Sequence, residues 1–264
     1  MSQDAPVVAQ QLDERGVLTV TIDRPDARNA VNPQVNRELL DALRRADADE
    51  DEIRVVVLTG AGDKAFCAGG DLAGMRMEAG KVAQHQDRAL FGDVLLSLRR
   101  CRVPVVGRIN GHAVAGGFGL ALACDLLVTA DHATFGTPEV KRGLWPYMIT
   151  TVIADHLGPK RTLELMMLGE RFDAAQVAEW GLVNRVVPAD RLDEATDELV
   201  EALLGSSTLV LSLGKEAYHR STEMRRDEAL AYLASMLSLH GETEDVAEGL
   251  AAFFEKREPR WRNR

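Results

Sequence analysis

Four short apolar runs recur between residues 17 and 130, and segments with helical periodicity lie between most of them. Residues 17–23 (VLTVTID) alternate apolar and polar side chains, as a half-buried strand does. Residues 53–59 are typical of a strand buried on both faces, and residues 103–109 and 124–130 are further predicted strands. Strands that alternate with helices favour a sheet covered by helices. The pattern therefore predicts an α/β fold up to about residue 140.

Helical segments are predicted throughout the chain. The first begins at Asn32-Pro33, where asparagine can cap the helix and proline can occupy its first position. Beyond residue 140 the pattern is mainly helical. The further predicted helices are 83–99, 116–123, 160–168, 173–180, 189–205, 207–219, 226–239 and 243–257. We therefore divide the chain into a core of residues 1–200 and a helical C-terminal region of residues 201–264.

The charge of the chain limits its partners. The 264 residues carry a formal net charge of −10, which argues against binding to nucleic acid or to an anionic membrane surface. An anionic ligand would therefore need local cations, for instance Arg28 or Lys64. Residues 111–130 are apolar enough to resemble a membrane span, but Asp125 within them would cost about 3 kcal/mol there. We interpret this segment as buried core.

The cysteines and the N-terminus predict a cytoplasmic protein. Cys67, Cys101 and Cys124 do not have the spacing of a metal site, and their odd number does not indicate a disulfide framework. The N-terminal residues MSQDAPVVAQ lack the basic and apolar regions of a secretory signal.

Residues 60–65 (GAGDKA) match the G-x-G-x-x-A pattern of dinucleotide-binding proteins. That pattern requires a helix to begin at once, whereas Phe66 to Gly70 (FCAGG) do not favour a helix. We therefore do not predict a dinucleotide site.

Two glycine-rich segments, residues 67–72 and 110–119, each precede a possible helix. The first N–H groups of a helix have no acceptor within it, and they suit a developing negative charge on oxygen. Glycine allows a ligand to approach the main chain closely. Taken singly, each segment is better explained as a tight turn packed in the core.

A third segment, residues 135–139 (FGTPE), places Glu139 in an apolar stretch. Thr137 and Pro138 also resemble a helix start, with Thr137 as its cap, although Gly143 and Pro146 leave room for only a short helix. A carboxylate in apolar surroundings can have a raised pKa, as general acid/base catalysis requires.

Taken together, these segments resemble the crotonase superfamily, the enoyl-CoA hydratase/isomerase family, over essentially the whole chain. The matching segments are 24–30, 64–72, 110–117, 123–125, 135–139, 181–188 and 252–257. The resemblance implies a spiral of ββα units and a helical C-terminal region that forms trimers, often paired into hexamers. It also implies that an acyl-CoA thioester is the substrate, so that CoA arrives with the substrate and no metal or separate cofactor is needed.

The resemblance assigns roles to individual residues. The main-chain N–H groups of Gly70 and Gly116 would hold the thioester oxygen, and Glu139 would be the acid/base. The residues that correspond to the family's CoA site are Arg28, Ala30, Lys64, Ala65, Phe66, Ala68, Asp71 and Leu72, while Phe254 and Lys256 would reach the CoA site of a neighbouring subunit. Asp71 can also be interpreted as a helix-start carboxylate.

Two departures from the family bear on the reaction. Gly119 stands where hydratases of this family commonly have a second glutamate, and residues 144–149 (LWPYMI) replace a glycine-rich run with bulkier side chains. We favour an enoyl-CoA hydratase in which Glu139 is the single acid/base. A Δ3-Δ2-enoyl-CoA isomerase is the alternative, because one carboxylate suffices to move a proton from C2 to C4. A non-catalytic acyl-CoA-binding protein is the third hypothesis.

Overall fold

The computed structural model describes residues 5–48, 53–71 and 80–264. The strands within these ranges are β1 (Val8–Leu12), β2 (Val17–Ile22), β3 (Val55–Gly60), β4 (Ala65–Cys67), β5 (Val105–Ile109), β6 (His112–Val114), β7 (Leu126–Ala130), β8 (Thr134–Gly136), β9 (Arg171–Asp173) and β10 (Arg185–Val187). The α-helices are α1 (Pro33–Ala48), α2 (Lys81–Arg100), α3 (Gly116–Leu122), α4 (Ile149–His156), α5 (Pro159–Leu168), α6 (Ala174–Glu179), α7 (Leu192–Leu204), α8 (Thr208–Thr222), α9 (Arg226–Gly241) and α10 (Glu244–Glu255).

The strands form two sheets. The order in the larger sheet is β1-β2-β3-β5-β7-β10, in which every neighbouring pair is parallel except β1 and β2. The smaller sheet has the order β4-β6-β8-β9. From β3 to β8, successive strands alternate between the two sheets and each pair is followed by a helix, as β3-β4-α2, β5-β6-α3 and β7-β8-α4 show. This arrangement confirms the α/β fold and the predicted succession of ββα units.

Two buried asparagines hold the turn between β3 and β4, where the chain passes from one sheet to the other. Asn110 Nδ2 donates to Gly60 O at 2.8 Å and to Gly62 O at 2.6 Å. Asn29 Nδ2 donates to Ala61 O at 2.9 Å and to Ala65 O at 2.7 Å. This turn leads directly into β4, so residues 60–65 do not begin a helix. The helix that a dinucleotide site requires at this point is therefore not formed.

The long elements lie where the sequence predicts them, within a few residues. β3 is buried along its whole length, and Pro104 immediately precedes β5, an inner strand. Residues 111–130 form β6, α3 and β7. Among the described helices, none combines the length and the hydrophobicity that a membrane span requires. The elements that sequence reasoning missed are β1, β4, β6, β8, β9, β10 and α4.

A partly buried ion pair attaches the C-terminal helices to the core. Lys215 on α8 donates to Asp125 Oδ2 at 2.6 Å and to the main-chain oxygens of Leu98 and Val103, both at 3.3 Å. The preceding helix, α7, buries Val200 against the larger sheet. The proposed boundary at residue 200 thus falls inside a helix that packs on the core, and the division into two parts stays a prediction.

We expect Lys215→Met to lower the free energy of unfolding by about 2–3 kcal/mol, because it leaves a largely buried Asp125 without its cation. Chemical unfolding of the variant checks this value. Lys160→Met is the control, since Lys160 is exposed on α5. Equal stability of the two variants would contradict the role given to Lys215.

Candidate active site

One cavity of about 690 Å³ brings together most of the residues predicted to act in catalysis. Its wall is formed by the start of α1, one face of α2, the loops after β4 and β6, and residues 138–149. The predicted site residues that line it are Gly70, Gly116, Glu139, Arg28, Ala65, Ala68 and Asp71.

The pairing of β4 with β6 places the two glycine-rich loops side by side. These strands are parallel neighbours, so the loops that follow them leave the smaller sheet at the same edge. A β-carbon on Gly69, whose φ is +88°, would lie 2.7 Å from Ala115 Cβ and 3.0 Å from Gly116 N. Only glycine at position 69 therefore allows the loops to touch.

Main-chain N–H groups of both loops remain outside the regular hydrogen bonding. Val31 N donates to Gly69 O and Asp71 N donates to Val31 O, so this bridge does not use the Gly70 N–H. Gly116 is the first residue of α3, whose N–H has no acceptor within the helix. Ala115 before it has a φ of 53°, a conformation that costs about 1–3 kcal/mol in a residue other than glycine. The two loops can thus offer N–H groups to one oxygen atom.

Glu139 occupies a 3-10 helix, Pro138–Arg142, in the wall of the same cavity. Its Oε2 is buried and has no hydrogen-bond partner among the described residues. Burial raises the pKa of Glu139, while a hydrogen bond from its own main-chain N–H and the charge of Arg142 act in the opposite direction. A carboxyl in this environment can take up and release a proton near neutral pH more readily than an exposed one.

The other two acidic side chains in the cavity wall are paired. Asp71 accepts from Arg24 Nη2 at 2.8 Å, and Asp87 accepts from Arg37 Nη2 at 3.2 Å. The predicted helix start at Asp71 concerns residues 72–79, which lie outside the described residues. Glu139 is therefore the carboxylate in this wall that is best placed to act on a ligand.

The Thr137 hydroxyl does not cap the short helix that carries Glu139. Its Oγ1 donates to Leu165 O at 2.8 Å instead, so the interpretation of Thr137 as a side-chain cap is wrong. This hydrogen bond joins the turn to α5 and holds the main chain on which Glu139 stands.

Ile149 fills the space beside Gly119. A β-carbon on Gly119 would lie 2.1 Å from Ile149 Cγ2 and 2.6 Å from Ile149 Cβ. Ile149 is buried and, with the rest of residues 144–149, lines the cavity. No larger side chain fits at position 119 while Ile149 is present, so the cavity has an apolar surface there.

Several residues assigned to the CoA site do not line the cavity. Phe66 and Ala30 are buried, and Phe66 is fully enclosed in the core. Lys64, Phe254 and Lys256 are exposed and are not among the residues that line the cavity. Leu72 lies outside the described residues. The neighbouring Cys67 is buried, which raises the pKa of its thiol to about 12 and fits a packing role.

Sequence reasoning missed four arginines in the cavity wall: Arg37, Arg88, Arg142 and Arg171. Helical spacing could have indicated one of them, since Arg88 precedes Phe91 by three residues and both lie on one face of α2. Arg171 belongs to β9, a strand of three residues, whose short pattern gives no such signal.

His112 is half-buried in the cavity wall. Its Nδ1 lies 2.9 Å from Thr134 Oγ1. Burial lowers the pKa of His112, and the charges of Arg171, His132 and Arg28 act in the same direction. This end of the cavity is therefore rich in positive charge although the chain is acidic overall.

The sequence profile of the family described as "Enoyl-CoA hydratase/isomerase" matches residues 13–264. A carnitinyl-CoA dehydratase of Citrobacter koseri is 36% identical over 253 residues, which cover 94% of this chain and 95% of that protein. The carnitinyl-CoA dehydratase of Escherichia coli K12 has the same identity and coverage.

Solved structures show the same similarity. An enoyl-CoA hydratase from Mycobacterium smegmatis matches with a TM-score of 0.93 and 34% identity, covering 97% of this chain and 99% of that chain. An enoyl-CoA hydratase from Bacillus anthracis matches with a TM-score of 0.92 and 30% identity, covering 98% of this chain and 100% of that chain.

We expect the stability effect of Gly119→Ala to change sign with the residue at position 149. In the native background the overlap with Ile149 should lower the free energy of unfolding by about 1–3 kcal/mol. In an Ile149→Gly background, alanine should instead raise it by up to about 1 kcal/mol, because alanine favours the helix. Equal effects in the two backgrounds, measured by chemical unfolding, would refute the steric coupling.

Proposed function

This chain belongs to the enoyl-CoA hydratase/isomerase family, and from that premise we propose that it catalyses the reversible hydration of a 2-enoyl-CoA. The observation that carries the proposal is the buried Glu139 carboxylate, whose Oε2 has no partner among the described residues and which shares one cavity with Gly70 and Gly116. Relatives named carnitinyl-CoA dehydratase and enoyl-CoA hydratase support a reaction that adds water to, or removes it from, an acyl-CoA.

In the proposed reaction, the N–H groups of Gly70 and Gly116 donate to the thioester oxygen. Addition at C3 moves the electrons of the double bond towards C2 and the carbonyl, so negative charge develops on this oxygen as an enolate forms. A main-chain donor at such a position typically contributes about 3–4 kcal/mol to transition-state stabilisation. Because the donors belong to packed loops, they need little reorganisation during the reaction.

Glu139 supplies the acid and the base in turn. As a carboxylate it removes a proton from water while the water oxygen bonds to C3. The same proton then passes from the carboxyl to C2, which returns Glu139 to its starting state and leaves a 3-hydroxyacyl-CoA. A raised pKa assists the second step, because the protonated form is less costly in a buried site than in water.

One specific observation also favours the isomerase as a second candidate. Gly119 and Ile149 leave no room for a second carboxylate. Movement of a proton between C2 and C4 needs one acid/base and no water. A non-catalytic binding protein is less well supported, since such a protein would gain nothing from a buried carboxylate without a partner.

The CoA moiety is proposed to lie along the loop 28–30 and the segment 64–71. Arg28 and Arg171 form the cationic end of the cavity beside His112, and they suit the phosphates of CoA. Ala65 and Ala68 line the wall between this end and Gly70, while Ala30, Lys64, Phe66 and Asp71 support or flank the same loops. CoA enters as part of the substrate, and we propose no separate cofactor.

A cytoplasmic setting is part of the proposal. Cys67, Cys101 and Cys124 are all buried and unpaired, which suits a reducing compartment. The described residues contain no disulfide that would indicate an oxidising one.

We expect the protein to produce a 3-hydroxyacyl-CoA from a 2-enoyl-CoA in heavy water. Glu139→Gln should lower turnover at least about 100-fold and retain thioester binding, because the amide cannot exchange the proton. The native rate of hydration should fall as the pH drops through a pKa above that of an exposed glutamate, since Glu139 acts first as the carboxylate. Mass analysis of the products and a pH profile provide the measurements.

Glu179→Gln, which alters an exposed residue of α6, is the control for this experiment. Migration of the double bond from a 3-enoyl-CoA with deuterium uptake, without hydration, would identify the isomerase instead. Binding of the thioesters without either reaction would leave the non-catalytic protein as the explanation.

We propose that the C-terminal helices assemble a homotrimer or a dimer of trimers. α9 has no buried residue, and it exposes apolar side chains including Leu230, Leu237 and Leu239. Phe253 and Phe254 are also exposed on α10. In this arrangement Phe254 and Lys256 would reach the CoA site of a neighbouring subunit.

We expect a molar mass of three or six chains from light scattering during size-exclusion chromatography. Leu237→Asp should shift the protein towards the monomer, since it places a charge on an apolar contact. Val82→Asp, an exposed change on α2, should not. A monomeric native protein would contradict the proposed assembly.

A further inference from the structure

A second polar side chain in the cavity wall is buried without being satisfied. Asn36 is 4% exposed, and its Oδ1 has no hydrogen-bond partner among the described residues. It lies on α1 among apolar core residues, where leucine would be the ordinary choice. Native structures leave few buried polar atoms unpaired, so an incompletely hydrogen-bonded amide in a cavity wall calls for an explanation, which a bound ligand would provide.

Arg88 lies on the same wall. The ion pair between Arg37 and Asp87 joins α1 to α2 and places Asn36 and Arg88 on neighbouring parts of the two helices. Arg88 is exposed to the cavity, and none of the described residues forms an ion pair or a side-chain hydrogen bond with its guanidinium. The wall therefore offers an amide and a cation that are both available to a ligand.

In the proposed binding mode, this wall lies at the acyl end of the cavity. The charge of Arg28 acts on His112, Val31 pairs with Gly70, and Asn36 lies five residues farther along the chain in α1. On α2, the ring of Phe91 would lie 3.3 Å from a β-carbon on Gly116, so this ring marks the reaction centre. Arg88 precedes it by three residues, or about 4.5 Å along the helix axis. A group bound there would be the distal end of the acyl chain.

We propose that the acyl group carries an oxygen function, a hydroxyl or a carboxylate, at its distal end, where Asn36 and Arg88 bind it; this assignment rests on the proposed function. Half a turn of the terminal amide exchanges Oδ1 and Nδ2 of Asn36, which can then accept from a hydroxyl or donate to a carboxylate. Arg88 donates to either group and adds charge complementarity to the carboxylate.

The charges of the cavity disfavour a cationic acyl end. Asp71 and Asp87 are already paired, whereas Arg88 on one wall and Arg142 beside Glu139 would both repel a cation. A trimethylammonium group, which the carnitinyl relatives must accommodate, is therefore a poor fit to this chain. The proposed substrate class therefore differs from carnitinyl-CoA, the substrate that the names of the relatives state.

The test compares four 2-enoyl-CoA substrates of matched length that end in a methyl, a hydroxyl, a carboxylate or a trimethylammonium group. We expect kcat/KM for at least one oxygen-ended substrate to exceed that for the methyl-ended substrate at least about tenfold. Asn36→Leu should lower this ratio about tenfold. Arg88→Met should lower kcat/KM for the carboxylate more than for the hydroxyl, which distinguishes the two oxygen functions.

Arg100→Met is the matched control, because Arg100 is exposed on the same helix and does not line the cavity. Thermal unfolding of Asn36→Leu checks that a lost preference does not reflect a lost fold, and the exposed Arg88 provides a second variant that should fold in any case. Preference for the methyl or the trimethylammonium substrate by the native protein would overturn the inference. Hydration of none of the four would instead count against the proposed function.

Discussion

The contact between the loop at Gly69–Gly70 and the turn at Ala115–Gly116 is the constraint on which the rest of the site depends. It requires parallel pairing of β4 with β6, because only that pairing brings both loops to one edge of the smaller sheet. It also requires that position 69 have no side chain, since a β-carbon there would overlap Ala115. The larger sheet, the asparagines in the turn after β3 and the core around Phe66 all serve to hold these short strands in register.

Three local features that disfavour stability lie in the wall of this cavity. Ala115 has a positive φ, Glu139 is a buried carboxylate without an ion-pair partner among the described residues, and the Asn36 amide is incompletely hydrogen-bonded. Each of these lowers stability, and none of them supports the packing of the core. Stable proteins tolerate such departures mainly at functional sites, where the ligand completes what the fold leaves unfinished. The incompletely hydrogen-bonded groups of the cavity wall thus indicate which polar groups a substrate must supply.

The sequence predicted the parts of the fold that depend on long periodic patterns. The buried run at β3 and the helix predicted at 243–257 were correctly placed, and Thr243 Oγ1 accepts from Val246 N as a capping residue does. Strands of three residues, such as β4 and β9, are too short for an alternation to be recognised, so Arg171 was missed. The link from Lys215 to Asp125 joins residues 90 positions apart, and no local pattern indicates such a contact.

The same distinction holds within the site. Glu139, Gly70 and Gly116 could be named from a resemblance because their segments are continuous, whereas the overlap of Ile149 with position 119 appears only in three dimensions. Sequence reasoning missed Asn36 for a different reason. It falls within an otherwise apolar helical stripe, in which sequence reasoning registers the apolar neighbours and passes over one polar residue.

The loss of the second carboxylate and the polarity of the distal wall have one physical explanation. In the proposed reaction, Phe91 and Ile149 would make the surroundings of the reacting carbons apolar, which would strengthen the interaction between an enolate oxygen and the main-chain N–H groups. The same apolar surface removes a group that could orient water or substrate, so orientation must come from elsewhere. Hydrogen bonds at Asn36 and Arg88 would fix the far end of the acyl group and thereby hold C3 at Glu139. Binding energy from a remote part of the substrate is then used to position the reacting atoms, so a substrate without the distal oxygen should lose kcat and not only affinity.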